Sequence, residues 1–113
     1  HFAGSYDAEN NILSIAYFEM DASARYLKQE WKTDRPVFSG DAVNAYNDGP
    51  LADGSQMGPF YEIESVSPAA LLKPGGSLEH VHSVFHFTGP EGDLNKITES
   101  VFHISIEKIK SAF

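Results

Sequence analysis

The chain contains no cysteine, which removes disulfides, a thiolate nucleophile and any cysteine-based zinc site, and leaves the redox compartment unread. Basic residues are scarce: 8 Lys and Arg face 16 Asp and Glu, for a formal net charge of -8. A phosphate backbone demands clustered cations, and no cluster occurs here, so no nucleic-acid partner is expected. No apolar run approaches the roughly 20 residues that a bilayer-spanning helix needs, so no membrane partner is expected either. Internal repeats, low-complexity tracts, a nucleophile elbow, a phosphate loop and a dinucleotide fingerprint are all lacking, and no cofactor follows from the motifs. The first residue is His1, with neither an initiator Met nor a secretory leader, so the chain reads as a fragment or processed form whose localisation is open.

What is present is enough apolar sequence for one domain over residues 1–113. Asp7 to Asn11 is a turn cluster, and Ile12 to Glu19 reads as a strand with Leu13, Ile15 and Tyr17 on one face. Arg25 to Lys32 alternates in the same way and is expected to be a second strand, although Ala22 to Glu30 also fits a short helix. Ala42 to Tyr46 follows, then an aperiodic Gly-rich loop from Asn47 to Pro59, a strand from Phe60 to Ser67 and a longer strand from Ser77 to Thr88. Asp93 is a plausible helix cap ahead of Leu94, Ile97 and Val101, and Ser105 caps a short terminal helix with Ile106, Ile109 and Phe113 on one face. Strands followed by helices predict a mainly β fold: an antiparallel β-sandwich, or part of a supersandwich, closed by short C-terminal helices.

Side chains alternate along a strand, so Glu62 and Glu64 should project from one face roughly 7 Å apart, and His80, His82 and His86 should likewise share a face, which makes His80 and His82 candidates to contact the substrate. A carboxylate within reach of a sugar hydroxyl can abstract its proton, and a second carboxylate beside it would raise one of the two pKa values. The bland alternative is a solvated sheet face on which these glutamates pair with Arg25, Arg35 or a Lys. Asn47, Asp48 and Gln56, in the loop beside the Glu strand, offer hydrogen bonds to sugar hydroxyls or calcium, against the plainer role of satisfying their own loop. Tyr17, Phe18, Trp31, Tyr46, Tyr61, Phe85 and Phe87 could supply a sugar-stacking platform, although a chain this short needs most of them for its core; Trp31, between Glu30 and Lys32, is the best exposed candidate.

Phe60-Tyr61-Glu62-Ile63-Glu64-Ser65 with Pro68, then Leu72-Lys73-Pro74-Gly75 and a long aromatic strand, resembles the C-terminal part of galactose mutarotase-like proteins. Asn44 to Leu51 with Gly54 to Gly58 is similar to an uncharacterised branch of that superfamily. The resemblance covers residues 37 to 113 and implies a carbohydrate-binding sandwich, with Glu62 at the position of the general base and Glu64 beside it. The superfamily sandwich is more than twice this length and its catalytic His lies upstream of the Glu motif, so His80 and His82 do not inherit that role. A homodimer or a missing N-terminal sandwich segment is then expected to cover the open sheet.

The runner-up reading starts from His80-Val81-His82 after the Pro74-Gly75-Gly76 turn, which looks like the motif of a small cupin: two imidazoles at alternate strand positions holding a divalent metal, with His86 or Glu62 completing the set. Helices following within about ten residues are out of order for a cupin, and hydrogen-bonded neutral histidines are the plainer alternative.

Overall fold

In the computed structural model, residues 1–30 and 32–112 are described. The chain is mainly β: the described residues form five strands in two antiparallel sheets followed by two short helices. In order these are β1 (Phe2–Asp7), β2 (Ile12–Phe18), β3 (Val43–Asn47), β4 (Tyr61–Ser65), β5 (His82–Thr88), α1 (Glu91–Phe102) and α2 (Ile106–Lys110). They divide between two compact units, one of His1–Phe18 with His82–Phe113, the other of Glu19–Val81.

In the first unit β2 lies between β1 and β5, antiparallel to both. The turn joining β1 to β2 forms because Asp7 folds back on it: its carboxylate accepts the backbone N–H groups of Glu9 and Asn10 at 2.9 and 3.1 Å and the Asn10 amide at 2.7 Å. Asn11 then takes a left-handed conformation, φ 52°, which its short polar side chain tolerates. As the central strand, β2 is the most buried element, and the expected alternation holds: Leu13 and Ile15 join Leu94 of α1 and Ile106 of α2 in the core. Tyr6, Phe87, Ile97, Val101 and Phe102 pack against that cluster.

The Leu94, Ile97, Val101 spacing is helical as expected, but α1 starts at Glu91 rather than after Asp93. Pro90 occupies the cap position with its carbonyl accepting the Asp93 and Leu94 N–H groups, while Asp93 pairs at 2.7 Å with Lys96. Ser105 caps α2 as the sequence indicates, accepting the Lys108 N–H at 3.2 Å. The Asn95 side-chain oxygen Oδ1 accepts the Ile106 N–H at 2.8 Å, so the two helices are tied at their junction. Phe113, expected on the α2 face, lies outside the described residues.

Glu91 fastens both ends of this unit, accepting from Lys110 Nζ at 3.1 Å and lying 3.0 Å from the Tyr6 hydroxyl, which is also 2.9 Å from Asn11. The Lys110 hydrogen bond, followed by that of Tyr6, holds the Glu91 carboxyl below the usual carboxylate range. A depressed pKa contributes stability above the unfolded-state value and loses it as pH falls through the folded-state value. Glu91→Gln is therefore expected to melt at a lower temperature than wild type at pH 7, with the two melting temperatures converging as pH falls through and below the ordinary carboxylate range and the wild-type carboxyl protonates. Melting temperatures of both proteins across that range check this.

The second unit carries the two-stranded β3–β4 sheet. Arg25 to Lys32, expected to be a strand, is irregular over its described part. Among the described residues its backbone is paired where Ala69 N–H reaches the Arg25 carbonyl at 2.8 Å, Lys28 N–H reaches that of Val37 at 3.0 Å and Gly40 N–H reaches that of Tyr26 at 3.2 Å. That approach is close enough for a Cβ on Gly40 to collide with the Leu27 carbonyl. Among the described residues of this stretch only Tyr26 is buried, its hydroxyl bridging the N–H and carbonyl of Asp21 at 3.0 and 3.1 Å. Alternation without a partner strand does not make a strand. The last expected strand is likewise shortened, beginning at His82 rather than Ser77.

Candidate functional site

β3 and β4 pair with Asn44 opposite Glu64 and Tyr46 opposite Glu62, so four functional side chains rise from one face of the hairpin. Glu62 and Glu64 do project together, as the alternation indicates. With Gln29, Glu30, Met57 and Phe60 these residues line an open groove of about 640 Å³. Asn44 Nδ2 donates to Glu64 at 3.2 Å. The Tyr46 and Phe60 rings lie 6.0 Å apart, tilted by 37°, and form the apolar end. Both glutamates are exposed, and among the described residues neither is in an ion pair: Arg35 pairs with Glu30 at 3.6 Å and Arg25 sits over the Phe38 ring at 5.5 Å.

Asp48 fixes the shape of this end. One carboxylate oxygen accepts the Tyr46 hydroxyl at 2.7 Å and the other accepts the Gly58 N–H, also at 2.7 Å, while the Asp48 N–H reaches the Phe60 carbonyl at 3.2 Å. Tyr46 donation, then the Gly58 N–H, pulls the Asp48 carboxyl below its usual range, and the same bond raises the Tyr46 phenol. Asp48 is thus ionised at neutral pH and locks the loop that presents Met57 and Phe60. Farther out, Asp53 accepts both the N–H and hydroxyl of Ser55, at 2.9 and 2.6 Å, closing a small turn at Gly54, φ 81°.

The other loop candidates take a neighbouring position. Asn47, Asp48 and Gln56 border a smaller cavity of about 290 Å³ with Tyr61, and Phe60 forms part of both. The Asn47 side-chain oxygen accepts the Gly49 N–H at 2.9 Å, so it serves its own loop. Trp31, the expected stacking residue, lies outside the described residues.

The three histidines do not share a strand face as expected. His80 precedes β5 and belongs to the Glu19–Val81 unit, where its Nε2 sits 2.8 Å from the Ser65 hydroxyl. His82 and His86 lie in β5 of the other unit, on the sheet face opposite the helices, and His86 Nδ1 is 2.9 Å from the Ser14 hydroxyl. The early end of the strand is the reason, since His80 leaves the alternation two residues before it begins. Among the described residues no group of three His, Asp or Glu side chains is placed to hold a metal ion. No helix is long and apolar enough to cross a membrane.

Gln29, Glu30, Asn44, Met57 and Phe60 are site residues that the sequence alone does not single out. Three of them gain their place through strand register or loop closure, which no local pattern encodes. The model of a family of unknown function (DUF6786) matches residues 1–113. No curated protein matches the chain, and no solved structure does.

Proposed function

We propose that this chain, which belongs to the DUF6786 family of unknown function, is a carbohydrate-binding domain of the galactose mutarotase-like type whose ligand lies in the β3–β4 groove. The observation that carries this reading is the combination on one face of a tilted aromatic pair, Tyr46 and Phe60, with the Glu62 and Glu64 carboxylates and the Asn44 amide. A pyranose has an apolar C–H face that packs on aromatic rings and a rim of hydroxyls that donate to carboxylates and exchange hydrogen bonds with amides. Three carboxylates, Glu30, Glu62 and Glu64, border the groove, and the chain carries a net charge of -8, which favours a neutral sugar over an anionic one.

Binding ranks ahead of turnover. Opening a hemiacetal requires an acid at the ring oxygen as well as a base at the anomeric hydroxyl. The resemblance gives Glu62 the position of the base, but no imidazole is among the residues bordering the groove to act as acid. Titration calorimetry with glucose, galactose, lactose and cellobiose tests the reading. Glu62→Gln, which keeps the shape and removes the charge, is expected to weaken binding about tenfold, in keeping with about 1.5 kcal/mol for a charge-assisted hydrogen bond. Anomer exchange of galactose, followed by NMR, is expected to run no faster with the protein than without it. Saccharides that give no heat, or a variant that binds as well as wild type, would contradict the assignment of this groove.

A further inference from the structure

β5 is an edge strand: in the order β1-β2-β5 it pairs with β2 alone, and no backbone hydrogen bond joins it to any other described segment. The N–H and C=O groups of its alternate residues therefore point away from β2, where a further strand can pair with them. Folded proteins ordinarily blunt such an edge with a charge, a proline or a bulge. His82-Ser83-Val84-Phe85-His86-Phe87-Thr88 has none of the three. Its residues match β2 one for one and include no Asp, Glu, Lys, Arg or Pro, in a chain that carries 16 acidic residues.

The side chains of this edge are as open as its backbone. Val84 is 51% and Phe85 47% exposed, on opposite faces of the sheet, and the Phe85 ring is stacked 6.4 Å from that of Phe87, which packs against the core. β1, at the other edge, has only Ala3, Gly4 and Ser5 at its centre and ends on the charged Asp7, so it offers a partner strand little side-chain contact.

We propose that the β5 edge is where two copies of this chain associate, antiparallel about a two-fold axis at Phe85. Full overlap of His82–Thr88 with itself places the axis there and sets Phe85 opposite Phe85, Val84 opposite His86, Ser83 opposite Phe87 and His82 opposite Thr88. The strand is thus its own complement. The two Phe85 rings cover each other and each lies diagonal to Phe87 of the second copy, so the half-exposed aromatic row becomes continuous across the axis. An edge without charge neither selects an oppositely charged partner nor repels a copy of itself, which favours the second copy over an unlike protein. The three-stranded sheet is doubled by this contact.

Sedimentation equilibrium of the whole chain tests the association, and single-cysteine variants test its register, since the chain has no thiol of its own. Wild type is expected to pass from once to twice the chain mass as its concentration rises. Phe85→Lys sets two ammonium groups opposite each other and is expected to stay at once the chain mass, with its melting temperature showing that it folds. On mild oxidation Phe85→Cys is expected to give a disulfide-linked dimer, because facing Cβ atoms lie roughly 5 Å apart. Ser83→Cys is expected to give none, because its two thiols are then four residues of strand apart, roughly 13 Å. The cysteine pair fixes the register without reliance on the lysine variant. A wild-type chain that stays monomeric at every concentration overturns the proposal. So does a dimer that survives Phe85→Lys, or one that links through Ser83→Cys as readily as through Phe85→Cys.

Discussion

Tyr46→Ala is expected to weaken saccharide binding roughly thirtyfold, equivalent to about 2 kcal/mol, the cost of truncating a central aromatic anchor. Tyr46 supplies one of the two rings at the apolar end, and its partner Phe60 approaches no closer than a tilted contact at 6.0 Å, so Phe60 alone cannot rebuild a stacking surface of the same area. Tyr46→Phe separates the ring from the hydroxyl. It leaves the stacking face and deletes only the donation to Asp48, and should keep affinity within about threefold of wild type. The alanine variant loses little stability, because Tyr46 is 39% exposed and the freed Asp48 oxygen turns to water. Calorimetric titration of both variants with a disaccharide, alongside their melting temperatures, checks the pair. A Tyr46→Ala protein that binds like wild type means that the ligand does not lie on this face.

The largest stability effect is expected at Leu13. Its side chain is 1% exposed at the centre of the cluster that joins β2 to both helices. Leu13→Ala removes that packing and leaves a cavity that Ile15, Leu94 and Ile106 cannot close without moving two helices, a loss of about 3 kcal/mol. For a folded unit of this size that corresponds to a fall in melting temperature of the order of 10 to 20 °C, read by calorimetry or far-ultraviolet dichroism. A fall of under about 3 °C would mean that β2 is not the centre of the core. Saccharide affinity, measured well below the transition, is expected to stay unchanged, because the groove belongs to the Glu19–Val81 unit.

Particular residues explain which elements were legible. β2 is readable because Leu13 and Ile15 alternate with smaller residues inside a long apolar run, and α1 because Leu94, Ile97 and Val101 recur at helical spacing. β1 is not, since Phe2-Ala3-Gly4-Ser5-Tyr6-Asp7 has weak strand propensity and is a strand only because each residue pairs with β2. Arg25 to Lys32 carries the alternation of a strand but, among its described residues, finds scattered backbone bonds to Val37, Gly40 and Ala69 in place of a continuous partner strand, showing that pattern without a partner is insufficient.

The candidate site divides in the same way. Glu62 and Glu64 share a face because a period of two is a local property of the chain. Asn44 and Tyr46 join them through the β3–β4 register, and Met57 and Phe60 through the Asp48 clamp, and both depend on contacts between residues well separated in sequence. His80, His82 and His86 fit one face on paper and fail because β5 begins at His82, a boundary set by where pairing with Phe18 starts.

A crystal structure of the protein soaked with cellobiose or lactose tests the central claim most directly. The account predicts sugar density over the Tyr46 and Phe60 rings, with hydroxyls on the Glu62 carboxylate and the Asn44 amide. Sugar seated elsewhere on the molecule, or a groove that holds only water at saturating disaccharide, would contradict it.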